Sequence, residues 1–118
     1  MATKSEVERF LKDFKVKMSI YQIIFLDERG KNAQALLDLD VSPMSRKETI
    51  TNLKVEDYSE GPLKEKMRGI LPMWVFGNTV KKQEVYIKIS MGRENSQTIC
   101  ISFHPAEHPM NYPFKKQK

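Results

Sequence analysis

The chain has 118 residues, which suits one domain, and a formal net charge of +5 that favours an anionic partner. Hydrophobic residues make up 40% and charged residues 30%, which excludes disorder along the whole chain, while one cysteine excludes a disulfide framework and a site with several thiolate ligands. With only two histidines, we expect no structural metal and no cofactor. No apolar run is long enough for a membrane span or a secretory signal, so we expect no membrane association and a cytoplasmic location.

The first element is predicted to be an amphipathic helix over residues 4 to about 15. Its apolar side chains recur at helical spacing: Val7, Phe10, Leu11, Phe14 and Met18. Ser5 and Glu8 fit a capping box, in which a hydroxyl and a carboxylate satisfy backbone amides at the helix start. The β-branched and aromatic residues that follow predict a short strand over residues 20–25, before a turn at residues 27–30.

Two further helices are predicted in the first half of the chain. Residues 31–39 are good helix formers, and Asn32 is placed to cap them. Ser42-Pro43 is a second start signal, because Ser accepts a free amide hydrogen and Pro has none to leave unpaired. Residues 54–70 are polar and contain Gly61-Pro62, so they are predicted to form a loop or a loosely helical connector.

The second half of the chain changes to the period of two that is typical of strands. A strand is predicted from Met73 to a turn at Gly77-Asn78, and two more at residues 84–91 and 98–104. The alternation places Ile99, Ile101 and Phe103 on one apolar face that must rest on the helices. The expected fold is α+β, with three N-terminal helices packed on a C-terminal antiparallel sheet of three to four strands.

The other face of this sheet collects four polar side chains. In an antiparallel pair, residues directly opposite each other point to the same face. The numbers of two opposite residues on these strands therefore add up to a constant even value, and the two nearest possibilities are 188, with Tyr86 opposite Ser102, and 190, with Tyr86 opposite His104. Either register gathers Tyr86, Lys88, Ser102 and His104. A solvated sheet face shows the same alternation without any function.

The same four side chains suit phosphodiester cleavage without a metal. A base must take the proton of the attacking ribose hydroxyl, cations must stabilise charge on the phosphoryl oxygens, and an acid must protonate the leaving oxygen. His titrates in the useful range, Lys supplies a positive charge, and Tyr donates a hydrogen bond or stacks on a base.

These strands resemble the paired C-terminal strands of MqsR-type toxins. Residues 83–89 read QEVYIKI and residues 99–104 read ICISFH, and in that family a VYLKI strand precedes an IVSF strand that ends in a basic residue. Upstream, residues 53–58 (LKVEDY) resemble the segment that closes the family's helical half, and Trp74-Val75-Phe76 resembles its next strand.

The resemblance implies a RelE-like fold and the activity of a toxin from a type II toxin-antitoxin system. By this resemblance, the chain is an endoribonuclease that cleaves single-stranded mRNA without a metal ion by attack of a 2′-hydroxyl, and an antitoxin that binds DNA is its protein partner. Tyr86 matches the catalytic tyrosine, His104 takes the place of the basic residue after Ser-Phe, and Lys88 matches a second lysine on the same face.

Two positions of the family pattern are not matched. The family has a lysine after the Asp-aromatic pair, where this chain has Glu60-Gly61, so that Lys64 or Lys66 would have to take its role. The family also has a glutamine near the Trp, where this chain has Pro72-Met73. The expected RNA-binding residues are Lys64, Lys66, Arg68, Ser102, Tyr112 and Lys115.

The predicted organisation is a single RelE-like domain over residues 1–108 and a basic tail with aromatic residues over 109–118. The tail could stack on bases and follow phosphates, or its aromatic side chains could pack on the domain. Two other functions remain open for the whole chain: a non-catalytic module that binds RNA or DNA, and a protein-interaction module on the same scaffold.

Overall fold

The computed structural model describes residues 1–27, 30–64 and 69–115. Its helices are α1 (Lys4–Tyr21), α2 (Gly30–Asp38) and α3 (Pro43–Thr51), and a short 3-10 helix (Val55–Asp57) follows them. Its strands are β1 (Ile23–Phe25), β2 (Tyr58–Leu63), β3 (Met73–Val80), β4 (Gln83–Ser90) and β5 (Thr98–Pro105). The predicted α+β class and the three N-terminal helices are confirmed. No helix in the described ranges is long and apolar enough to cross a membrane.

The five strands form one mixed sheet in the order β1-β5-β4-β3-β2. β1 runs parallel to β5, and the other three pairs are antiparallel. The prediction of a wholly antiparallel sheet with three to four strands is therefore wrong. Residues 58–63, predicted as loop, form the edge strand β2, because an edge strand tolerates the missing amide hydrogen of Pro62. The predicted turn at Gly77-Asn78 is also wrong, since β3 continues to Val80.

The helix boundaries follow their caps. The capping box of α1 is formed by Thr3 and Glu6 rather than by Ser5 and Glu8: the Thr3 hydroxyl accepts from the Glu6 amide, and the Glu6 carboxylate accepts from the Thr3 amide. α1 also continues to Tyr21, beyond the predicted end. The start of α3 is confirmed, because the Ser42 hydroxyl accepts from the Ser45 amide.

The main core lies between the helices and one face of the sheet. The apolar face of α1 packs there with Ala35 and Leu39 of the α2 region and Ile50 of α3. Phe10 of α1 stacks on Trp74 of β3 with ring centroids 4.5 Å apart, so Trp74 contributes to packing. The sheet supplies Phe76, Val85, Ile87, Ile89, Cys100 and Phe103.

A bulge in β5 changes which residues face this core. Lys88 pairs with Ser102, whereas the next residue, Ile89, pairs with Cys100, so that Ile101 is an extra residue on β5. As a result, Ile99 and Ile101 join Met73 in a second, smaller cluster, and Cys100 enters the main core with Phe103. The prediction that Ile99, Ile101 and Phe103 share one face is therefore wrong. Burial raises the pKa of the Cys100 thiol to about 12, so this thiol stays protonated.

Asn32 connects α2 to the bulged part of β5. Its side-chain amide donates to the carbonyl of Ile101 at 2.8 Å and to that of Leu26 at 2.9 Å, and it accepts from the amide of Phe103 at 3.0 Å. β1 pairs with residues 98–100, so Asn32 takes the place of a neighbouring strand where β1 has ended. The prediction that Asn32 caps α2 is wrong, because Asn32 lies inside the helix and its side-chain amide binds backbone groups of Leu26 and β5.

A partly buried ion pair joins α3 to the segment that follows β1. The Arg46 side chain is 2% exposed and binds both carboxylate oxygens of Asp27, at 2.6 and 3.0 Å. Its guanidinium carbon also lies 3.9 Å from the ring centroid of Phe25, and its Nε donates to the carbonyl of Pro43. The pair is asymmetric, because the side chain of Asp27 is 43% exposed.

Removing Asp27 is expected to cost more stability than removing Arg46. Asp27→Ala leaves a buried guanidinium without its counter-charge, and we expect a loss of about 2–3 kcal/mol in the free energy of unfolding, whereas Arg46→Met leaves a carboxylate that water can reach. The double variant should recover part of the loss. Urea denaturation measures all three, and equal losses for the two single variants would contradict this asymmetry.

Candidate functional site

An open cleft of about 1330 Å³ lies over the sheet face that points away from the main core. Strands β2, β4 and β5 contribute to its walls, together with the start of the chain and residues 107–111. The four polar residues that the strand alternation predicted all line it: Tyr86, Lys88, Ser102 and His104. We call this space the sheet cleft.

The register of β4 against β5 brings these residues together. Tyr86 lies opposite His104 and Lys88 opposite Ser102, which corresponds to the sum of 190 rather than 188. The rings of Tyr86 and His104 stack with their centroids 5.3 Å apart and their planes 14° apart. The Nζ of Lys88 lies 5.8 Å from the centroid of the Tyr86 ring. A titratable ring, a phenol and an ammonium group therefore converge on one small region.

The orientation of the His104 ring is fixed on two sides. The ring stacks on Tyr86, and its Nδ1 lies 2.9 Å from the carbonyl oxygen of Pro105. A carbonyl oxygen only accepts, so this hydrogen bond requires a hydrogen on Nδ1. This bond leaves Nε2 as the ring nitrogen that is available to a ligand.

Tyr86 is held in its protonated form. Its side chain is half-buried, and this burial raises the pKa of the phenol, with a second contribution from the negative charge of Glu60. At neutral pH the hydroxyl therefore remains a hydrogen-bond donor. A donor next to the Lys88 ammonium group suits the binding of a phosphoryl oxygen.

Glu60 is a cleft residue that the sequence prediction did not select. It pairs with Val75, which pairs with Lys88, which pairs with Ser102, so these four positions form one row across the sheet. Glu60 is exposed and lines the sheet cleft. The sequence offered one signal for Glu60, because it stands where the family pattern has a lysine. The signal was not used because residues 54–70 were predicted to be a loop or connector.

The predicted RNA-binding residues do not form one group. Ser102 lines the sheet cleft, but it is only 6% exposed, which limits its contact with a ligand. Lys64 is exposed and is not among the described residues that line the cleft. Lys66 and Arg68 lie outside the described residues.

Tyr112 packs on the sheet rather than into the sheet cleft. Its hydroxyl donates to Oε2 of Glu84 at 2.7 Å, and the amide of Met110 donates to Oε1 of the same carboxylate at 3.1 Å. The Tyr112 ring lies over Gly77, where a β-carbon would collide with it. Burial and the Glu84 carboxylate raise the pKa of Tyr112 above its usual range. Lys115 is exposed, with its Nζ 5.2 Å from the centroid of the Tyr112 ring.

Comparison of the chain with models of protein families, with curated proteins and with solved structures finds no match. Function is therefore inferred from the chemistry of the sheet cleft and from the resemblance of its strands. Within residues 1–27, 30–64 and 69–115, no three His, Cys, Asp or Glu side chains are grouped so that they could hold a metal ion.

Proposed function

We propose that this protein is an endoribonuclease toxin of the MqsR type, which cleaves single-stranded mRNA without a metal ion. The observation that carries the proposal is the convergence of Tyr86, His104 and Lys88 in the open sheet cleft. A RelE-like domain and an antitoxin as principal protein partner are part of the same proposal. The arrangement of helices on one face of a sheet supports it, as does the order of the matching strand motifs.

The three side chains would divide the chemistry among them. The 2′-hydroxyl oxygen attacks the adjacent phosphorus, the bond from phosphorus to the 5′-oxygen breaks, and a 2′,3′-cyclic phosphate and a free 5′-hydroxyl result. His104 transfers a proton through Nε2, and the Lys88 ammonium stabilises the charge that builds on the phosphoryl oxygens. The Tyr86 hydroxyl donates a hydrogen bond that holds the phosphate in place.

The open shape of the sheet cleft and the positive net charge of the whole chain suit a single-stranded nucleic acid. It is open, so a polymer can cross it without threading an end, and a single-stranded RNA can present one phosphodiester to the strands below. A net charge of +5 favours the approach of a polyanion over that of a neutral ligand. Lys64 and Lys115 are exposed and are available for phosphate contacts outside the cleft.

The proposal is tested by incubating the purified protein with fluorescent single-stranded RNA, with and without EDTA. We expect equal cleavage in both, cyclic phosphate at the new 3′ end, and no cut at a position that carries a 2′-deoxyribose. Abolition by EDTA, or cleavage at the deoxyribose, would contradict the mechanism. Salt-dependent binding without any cut products would instead favour the non-catalytic nucleic-acid-binding module.

A further inference from the structure

Cleavage by a 2′-hydroxyl needs two groups that transfer protons. One takes the proton of the attacking hydroxyl, and the other gives a proton to the leaving 5′-oxygen. His104 supplies one of them. Tyr86 is poorly suited to be the second, because a phenol with a raised pKa is a weak acid at neutral pH.

Glu60 stands at a suitable place for the second group. In the row across the sheet it is two strands away from Lys88, which corresponds to about 9.5 Å between their backbones. Val75 lies between them on β3, so no polar side chain separates Glu60 from Lys88 in this row. The carboxylate and the ammonium can therefore contact a phosphodiester from two sides.

His104 lies at the opposite corner of the same region. It is on β5, three strands from the strand of Glu60 in the sheet order. It pairs with Tyr86, which lies two residues along β4 from Lys88, the β4 member of the row that contains Glu60. A substrate above Lys88 and Tyr86 would therefore meet Glu60 on one side and His104 on the other. Displacement in line needs the two groups on opposite sides, because the attacking and leaving oxygens lie on opposite sides of the phosphorus.

The other titratable residues that surround the cleft are less suited to this role. Around Glu60 the cleft carries Glu6 of α1, Tyr86 and Lys88 of β4, His104 of β5, and Glu107 and His108 of the following segment. The Glu6 carboxylate binds the Thr3 amide in the helix cap. Glu107 and His108 follow the end of β5, whereas Glu60 is fixed on a strand of the sheet.

We propose that Glu60 is the general base of this cleavage and His104 the general acid. The inference rests on the proposed function. The Glu60 carboxylate takes the proton of the 2′-hydroxyl as the oxygen bonds to phosphorus, and the electron pair of the breaking bond leaves with the 5′-oxygen, which takes a proton from Nε2 of His104. Proton exchange with water then restores both groups.

The inference is tested by single-turnover cleavage of single-stranded RNA over a range of pH. Wild type is expected to lose activity on the acidic side, where the base is protonated, and on the alkaline side, where the acid has lost its proton. Glu60→Gln should be about a hundredfold slower at neutral pH and should lack the acidic limb. Glu8→Gln, which removes the same charge from an exposed position on α1, should follow the wild-type profile.

Binding separates a catalytic role from an electrostatic one. Anisotropy with an RNA whose cleavage site carries 2′-deoxyribose should show equal or tighter binding for Glu60→Gln, because a negative charge has left the cleft. A wild type that does not cleave RNA overturns the proposed function and the role of Glu60 with it. If the wild type cleaves RNA but Glu60→Gln keeps the acidic limb of the pH profile, only the assignment of Glu60 is overturned. The same holds if His108→Asn loses the acidic limb.

Discussion

Replacement of His104 by alanine is expected to lower the rate of RNA cleavage by about a thousandfold, the effect of losing one proton-transfer group. The residue is placed for this role by its register opposite Tyr86 and by the bond between its Nδ1 and the carbonyl of Pro105. His104→Gln keeps a side chain of similar length and should be as inactive, because an amide does not titrate. The alkaline limb of the pH profile should be absent from the residual activity of both variants.

The control for this prediction is the other histidine of the chain. His108 also lines the sheet cleft, but it follows β5 and has no paired strand partner in the Tyr86 and Lys88 rows, so His108→Gln is expected to keep most of the wild-type rate. Urea denaturation checks that the His104 variants remain folded after losing the stacking contact with Tyr86. Cleavage by folded His104→Ala at a rate close to that of wild type would contradict the catalytic role of this residue.

Replacement of Asn32 by alanine is expected to cost about 3 kcal/mol in the free energy of unfolding. The side chain is 3% exposed and binds three backbone groups, those of Leu26, Ile101 and Phe103. Without it, these three backbone groups lose their partner, and the bonds to Ile101 and Phe103 are buried. Since two of them flank Ser102 in β5, we also expect slower cleavage.

Asn52→Ala is the matched control for this change. Asn52 is exposed at the end of α3, where its backbone rather than its side chain contributes the capping hydrogen bonds. We expect its variant to lie within about 0.5 kcal/mol of wild type in urea denaturation. If Asn32→Ala loses as little stability as Asn52→Ala, the prediction is wrong. Water would then replace the Asn32 amide, and the edge of β5 would need no side-chain partner.

The candidate site could be predicted where its geometry is local. Tyr86 and Lys88 share a face because residues two apart on a strand do so, and β4 has no bulge between them. Ser102 and His104 are related in the same way on the straight end of β5. The alternation therefore predicted that all four residues share one face, and the structure places them in one cleft.

Glu60 could not be predicted in this way. It lies on an edge strand with shifts in register, and Gly61-Pro62 within that strand reads as a chain breaker in a single sequence. Its neighbours in the row come from β3 and β4, which follow it in the chain by more than ten residues. Only the pairing of β2 with β3 brings its carboxylate to the cleft.

The sequence by itself determined the elements that short-range forces control: the amphipathic face of α1, the start of α3 at Ser42-Pro43, and the alternation along β4. The tertiary structure decided the parallel pairing of β1 with β5, the edge strand β2 and the bulge at Ile101. These depend on contacts between residues that are distant in the chain. Asn32 shows the physical reason, since in isolation its amide would cap α2, but the backbone offers it two hydrogen bonds with β5 and one with Leu26 instead.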